Sequence, residues 1–306
     1  VNALKDLGAN IHYEAKEGYP PIRITGKKIT KKKVQIHGNV SSQYISSLLL
    51  IASKLENGLE IELIGKITSV PYINMTLSLL NQLGIETKFE GNNIKVISKD
   101  SIEKQTIVVE SDWSSASYFY SIIALSEIGS EITLSAYKKE SLQGDSCLVE
   151  IYQHFGVETL FDTHSIRLKK TQKTKNNILE IDLKNAPDIA QTIAVTCFAE
   201  NIPCNLVGLH TLKIKETDRL EALKEELSNL GAIIAVTEQS LHLETSSVIH
   251  ENIAIKTYND HRMAMCFSLV SLRNIPITIN DPDCVNKTFP TYFEVLEREV
   301  FHEVFR

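Results

Sequence analysis

The sequence has little that would mark a disulfide-built, metal-bound or nucleotide-binding protein. Its 306 residues include 5 cysteines and 1 tryptophan. The cysteines, at positions 147, 197, 204, 266 and 284, are odd in number and form no CxxC pair. That excludes a disulfide framework and suits a reducing compartment, so a cytoplasmic protein is expected. The 9 histidines form no HxxxH or HExxH pattern, and neither GxGxxG nor a Walker-type phosphate loop occurs. No metal and no nucleotide site is therefore indicated. No apolar run approaches the length of about 18 residues that a membrane helix needs, and VNALKDLGAN is not a basic stretch leading into an apolar core, so no membrane association is expected. An excess of positive charge is also missing. The 32 basic residues against 38 acidic ones give a net charge of −6, which argues against broad attraction to nucleic acid. What remains, with 43% apolar and 23% charged residues, is the composition of an ordinary globular chain, long enough for about two domains.

Internal repetition is the strongest positive signal. The phrases LKDLG, LNQLG, YQHFG and LSNLG end on Gly8, Gly84, Gly156 and Gly231, about 72–76 residues apart. A second series runs in step: SSQYISSLLL, SSASYFYSII, DIAQTIAVTC and DHRMAMCFSL open at Ser41, Ser114, Asp188 and Asp260. Ser and Asp side chains accept hydrogen bonds from the free N–H groups of a first helical turn, so each opener reads as an N-cap, and each Gly as the end of a second helix. In between, Ile45, Leu48, Leu49 and Ala52 lie at helical spacing, ELIG supplies a strand, and IETKFEG and NIKVIS form a hairpin through Gly91. One unit reads β-α-β-α-β-β. The chain begins in mid-unit, and TYFEVLEREVFHEVFR supplies a last second helix without the strands that should follow. A domain boundary falls near Glu110, where strand-like TIVVE gives way to SDWSSAS.

The densest polar cluster is Lys215-Glu216-Thr217-Asp218-Arg219, between strand-like LKIK and a helix carrying Leu220, Leu223, Leu227 and Leu230. A strand-to-helix turn with two cations suits a carboxylate or phosphate ligand, and Glu216 between them could move a proton. Taken alone, the same residues read as an ordinary charged first turn. Asp260-His261-Arg262 opens another helix, Lys287 sits on a turn before Pro290, and Ser41-Ser42-Gln43 with Ser69 and Tyr72 supply hydroxyls and an amide at equivalent turns. Each of these also has a plain structural reading, and Asp188 is a helix cap first. The run Lys27, Lys28, Lys31, Lys32 and Lys33 reads as a solvated strand edge.

Taken together and in order, KETDRL, DHRMAMCFSL, SSQYISSLLL, VPYINMTLSLL, SDWSSASYF and CVNKTFPTYF make the sequence resemble the 5-enolpyruvylshikimate-3-phosphate synthases, enolpyruvyl transferases of the shikimate pathway, from residue 1 to 306. The resemblance implies an α/β fold of two similar domains, each built from β-α-β-α-β-β units as an inside-out α/β barrel. Residues 1–110 would be the remaining part of the first domain, on the acceptor-phosphate side, and 111–306 the second, on the phosphoenolpyruvate side. It also implies transfer of the enolpyruvyl group from phosphoenolpyruvate to the 5-hydroxyl of shikimate 3-phosphate with release of phosphate, by a monomer, with small-molecule partners only and no metal or organic cofactor.

Residue by residue, Ser41, Ser42, Gln43 and Ser69 resemble the family's shikimate-phosphate contacts, with Tyr72 beside the ring. Asp188 and Lys215 resemble the pair at the acceptor hydroxyl, with Asp188 as base, and Glu216 resembles the residue that handles the proton at the methylene carbon. Arg219, His261, Arg262 and Lys287, with Gln43, resemble the phosphoenolpyruvate shell. Thr211 stands where some members carry an Asn that helps hold the acceptor phosphate. Six units of about 73 residues would total about 440. The family's Gly-Asn-Ala-Gly-Thr-like segment would lie upstream of Val1, so the stretch is expected to be incomplete and by itself unable to turn over. UDP-N-acetylglucosamine enolpyruvyl transferase is the nearest rival, and KETDR and DHRMAM argue against it. A noncatalytic ligand-binding protein is the alternative from another class.

Overall fold

The computed structural model describes residues 1–39 and 41–301. The chain forms two compact bodies, Val1–Val108 and the part from Val109 onward, each with its own apolar core.

In the first body, helix α1 (Asn2–Leu7) stops at Gly8, and β1 (Asn10–Tyr13) pairs antiparallel with β2 (Ile22–Thr25). One full unit follows: β3 (Lys33–His37), α2 (Ser42–Ala52), β4 (Leu59–Ile64), α3 (Val70–Gln82), β5 (Thr87–Glu90) and β6 (Asn93–Val96). This is the element order expected from the repeat. Strands β3 and β4 run parallel, with Val34 opposite Ile61, and the hairpin returns antiparallel to give the order β3-β4-β6-β5. Alternation sets the faces. Leu59, Ile61 and Leu63 of β4 are buried, and they share a core with Ile45, Leu48 and Leu49 of α2 and Ile73, Leu77 and Leu80 of α3. Burying each such side chain contributes about 1.5–3 kcal/mol. The opposite face is charged and lines a hollow of about 720 Å³ beside Lys33, Glu60, Glu62, Lys88 and Lys95. The basic run ends here in paired charges: Lys28 with Glu56 at 3.0 Å and Lys33 with Glu60 at 3.1 Å.

The second body opens with α4 (Trp113–Leu125), β7 (Glu131–Ser135), the short α5 (Leu148–Ile151), β8 (Val157–Phe161) and β9 (Ser165–Lys170). A complete unit follows: β10 (Leu179–Asp182), α6 (Ala190–Ala199), β11 (Cys204–Val207), α7 (Arg219–Asn229), β12 (Ile234–Val236) and β13 (Ser240–Leu243). Its order β10-β11-β13-β12, with β10 and β11 parallel and the rest antiparallel, repeats the first body's sheet. Last come β14 (Ile253–Ile255), α8 (His261–Ser268), β15 (Ile277–Ile279), parallel to β14, and α9 (Tyr292–Val295), continued by π-helical turns over Leu296–Phe301. The rest of the expected final helix, 302–306, lies outside the described residues. Every residue of α6 is buried. Its hydroxyls are matched by those of α4, Ser117 with Thr192 at 3.0 Å and Ser121 with Thr196 at 2.7 Å, whereas the buried Gln191 amide has no hydrogen-bond partner among the described residues.

Three local expectations need correction. TIVVE is not a strand: residues 101–110 have no regular structure, and Val109 is 81% exposed. β-branched residues favour a pleated surface only when a neighbour pairs with them. LKIK is a 3₁₀ turn, His210–Ile214, with Ile214 exposed, because a four-residue alternation is too short to fix a period. Of the four helix openers, Ser41 and Asp260 do cap, but α4 is capped by Asp112, and α6 takes no side-chain cap because Asp188 sits in the 3₁₀ turn Pro187–Ile189 ahead of it. All four repeat glycines have positive φ, at 105°, 73°, 73° and 98°; Gly8, Gly84 and Gly231 stand at a helix end, whereas Gly156 closes a run of turns after α5, which ends at Ile151. No helix among the described residues is long and apolar enough to cross a membrane.

Candidate functional site

Parallel strands place the segments that follow them at one edge of a sheet, the edge where ligands of open α/β folds collect. The candidate residues obey this rule. In the second body, Asp188 follows β10, Lys215, Glu216 and Arg219 follow its parallel neighbour β11, His261 and Arg262 follow β14, and Lys287 follows the parallel β15.

Arg219 is the hub. It is the first residue of α7, whose cap Asp218 accepts from the N–H groups of Leu220 and Glu221. Its guanidinium, 1% exposed, donates from Nε to Asp260 Oδ2 at 2.6 Å, from one terminal nitrogen to Asp188 Oδ1 at 3.0 Å, and from the other to Glu216 Oε2 at 2.8 Å. A planar fork with five donors can satisfy three carboxylates at once, and a lysine could not. Asp260 has no exposed surface and takes part twice, since its other oxygen accepts the Arg262 N–H at 2.9 Å and so caps α8. Asp188 also meets Lys215 Nζ at 3.3 Å and Arg262 at 3.6 Å, and Lys287 pairs with Glu216. Arg219, Arg262 and Lys287, more than 60 positions apart at the extremes (219 to 287), thus share one lattice of carboxylates.

The lattice fixes protonation states. Burial raises the Asp188 carboxyl, but Arg262, Lys215 and Arg219 outweigh it and hold the group well below the ordinary carboxylate range. Burial likewise raises Glu216, while its hydrogen bond from Lys287 and the charge of Arg219 bring it down to about 2. His261 is pushed down to about 4, first by burial and then by the adjoining Arg262, against the opposing pull of Asp260. It is therefore a neutral imidazole at pH 7 and adds no charge to the cations expected around it. Four cations, Lys215, Arg219, Arg262 and Lys287, thus face the three carboxylates Asp188, Glu216 and Asp260. A small molecule with several anionic groups could enter such a lattice by exchanging partners with the internal carboxylates.

The first body brings together the other candidates. Ser41 caps α2, its Oγ accepting from the Gln43 N–H at 3.3 Å, and Ser42 is buried in the first turn. Ser69 precedes α3 with φ of 53° and does not cap it through its side chain, and the Tyr72 N–H donates to Ser69 O at 3.1 Å. The two turns adjoin, because Thr68 donates to Gly38 O through its backbone at 3.1 Å. A Cβ on Gly38 would lie 3.1–3.2 Å from Ile67, so that approach depends on glycine. Thr211 lies in the 3₁₀ turn before Lys215, buried, with its hydroxyl unpaired among the described residues.

Sequence reasoning left Asp260 and Ser114 out of the candidate site. Asp260 could have been suspected from its place before His261-Arg262 as a helix opener; Ser114, whose Oγ accepts from Arg262 at 3.1 Å, stood out only as a helix opener, with nothing local to tie it to Arg262.

A repeat-built α/β fold with anion-seeking groups at the carboxyl ends of parallel strands is the architecture of the enolpyruvyl transferases. The profile described as EPSP synthase (3-phosphoshikimate 1-carboxyvinyltransferase) matches residues 1–296. A Bacteroides fragilis protein named 3-phosphoshikimate 1-carboxyvinyltransferase is 42% identical over 303 residues, 98% of this chain and 73% of the relative. A Haemophilus influenzae protein of the same name is 37% identical over 97% of this chain and 68% of its own. Among solved structures, an EPSP synthase from Acinetobacter baumannii, 25% identical, superposes with a TM-score of 0.76 over 97% of this chain and 69% of that one. The chain belongs to the EPSP synthase family.

Proposed function

We infer that the protein is a 3-phosphoshikimate 1-carboxyvinyltransferase of aromatic amino-acid biosynthesis, transferring the enolpyruvyl group of phosphoenolpyruvate to the 5-hydroxyl of shikimate 3-phosphate. Family membership supports the reaction, and the observation that carries the site is the lattice around Arg219. The acceptor hydroxyl oxygen must bond to the enol carbon while the adjacent methylene gains a proton; phosphate then leaves as the new methyl group returns one. Asp188, ionised beside Lys215, is suited to accept the hydroxyl proton once Lys215 or Arg262 turns from it to substrate, because the cations that hold its carboxyl so low make it a weak base. Glu216 is suited to the methylene proton only once Lys287 turns from it to an incoming phosphate, because removing that cation raises the carboxyl. Arg219, Arg262 and Lys287 supply fixed positive charge, and neutral His261 a hydrogen bond, to the carboxylate and phosphate of phosphoenolpyruvate. Ser41, Ser42, Gln43, Ser69 and Tyr72 supply hydroxyl and amide groups for the acceptor. One chain carries both sets, which supports a monomer, and five free cysteines support a cytoplasmic setting.

The test is inorganic phosphate release by the full-length protein from phosphoenolpyruvate with shikimate 3-phosphate or with UDP-N-acetylglucosamine. Release with the first acceptor alone is the expected result. Release only with the sugar nucleotide would overturn the reading.

A further inference from the structure

We propose that Ser114 is a positioning residue for Arg262, its hydroxyl locked by Asp112, and that it thereby sets the affinity for phosphoenolpyruvate. The inference rests on the function inferred above. Ser114 is 3% exposed and lies in the first turn of α4. Asp112 accepts its backbone N–H on Oδ1 at 2.9 Å and its hydroxyl on Oδ2 at 2.8 Å. A serine hydroxyl has one proton, and here it is committed to the carboxylate, so its lone pairs face outward. Arg262 donates to them at 3.1 Å from 148 positions away in the chain. Asp188 Oδ2, the carboxylate that acts most strongly on the guanidinium, stands farther off at 3.6 Å, Asp145 and Asp112 act on it more weakly, and Arg262 Nε has no hydrogen-bond partner among the described residues. Without the Ser114 oxygen the guanidinium loses the hydrogen bond made at 3.1 Å, and Asp188, the strongest of its carboxylate neighbours, can draw it in and spend its charge on an internal carboxylate. A purely local role in starting α4 predicts something else, because the cap is made by Asp112 to the Ser114 backbone and survives loss of the hydroxyl.

Steady-state kinetics on the full-length protein separate these cases. Ser114→Ala should raise KM for phosphoenolpyruvate roughly tenfold, the loss expected for a hydrogen bond to a charged group, and leave KM for shikimate 3-phosphate within about twofold. Ser114→Thr, which keeps the oxygen, should recover most of the loss. In an Arg262→Lys background, Ser114→Ala should have no further effect, since the residue acts through the guanidinium. An unchanged KM for phosphoenolpyruvate, equal rises for both substrates, or additivity with Arg262→Lys would overturn the proposal while leaving the inferred function standing. Wild-type protein that releases no phosphate from the two substrates would overturn the inferred function, and this proposal with it.

Discussion

At Arg219 one buried guanidinium meets three carboxylates, and the consequences are energetic before they are catalytic. Removing one partner of a buried ion pair leaves charge without compensation and costs about 3–5 kcal/mol. Arg219→Ala should therefore lower the stability of the second body by that amount in urea unfolding, whereas Lys224→Ala, in an exposed pair with Glu221, should change it by less than about 0.5 kcal/mol. His261 makes a second residue-scale prediction. Unfolded, its imidazole titrates at 6.5, and folded at about 4, so between those values the unfolded chain binds a proton that the folded one refuses. Stability should fall as pH drops from 6.5 to 4, and fall further below that as Glu216 and Asp188 are forced to protonate. Denaturation midpoints measured from pH 7 to 4 should show a shallower decline in His261→Gln; an equal slope would locate the effect elsewhere, with buried His154 the next source. KETDR and DHR were visible in the sequence as separate charged turns. That Asp260 grips Arg219 was not, because the residues are 41 positions apart and no periodicity links them.

At the scale of elements, helix starts followed local chemistry where an Asp precedes the first turn, although the expected openers Ser114 and Asp188 do not cap. Asp218, Asp260 and Asp112 each accept N–H groups of the turn they open, and Asp218→Ala should cost about 1 kcal/mol in thermal or chemical unfolding. The repeat glycines are alike in φ but not in surroundings. A Cβ at Gly8 would meet nothing within 4 Å and at Gly84 only the end of Lys99, but at Gly231 it would lie 2.5 Å from Val248 O and at Gly156 1.9 Å from Gln172 O. Alanine at Gly8 should cost about 1 kcal/mol from the left-handed backbone alone, and alanine at Gly156 should be the most damaging of the four, with Gly231 next. Thermal shifts across the set would check the order. Where the elements departed from expectation, at TIVVE and LKIK, the short segments had β-like composition without a strand to pair with.

For the whole molecule, the two cores share no residue, one running from Leu7 to Val96 and the other from Trp113 to Val300. Between them, residues 101–110 carry no regular structure, with 101–109 on the exposed side though Ile102 and Ile107 are largely covered. Brief trypsin treatment should cut first near Lys104, and the larger product, beginning after that site, should resist further cleavage. Early cleavage inside α7 or α8 instead would show that the second body is not a stable unit.

The repeat, the β-α-β-α-β-β order and most helix boundaries were determined by the sequence itself, since they depend on periodicity, capping residues and glycine, all of which act over a few neighbouring positions. Tertiary structure alone decided which charges meet. The carboxyl ends of two separate parallel pairs, β10 with β11 and β14 with β15, are followed by the segments that draw together Asp188, Arg219, Asp260 and Arg262. There Lys287 and Arg219 hold Glu216 near pKa 2 against burial, while burial and Arg262 keep His261 a neutral base. Local sequence carries no record of such distances, because electrostatic energy in a buried site depends on spatial neighbours and on excluded water rather than on order along the chain.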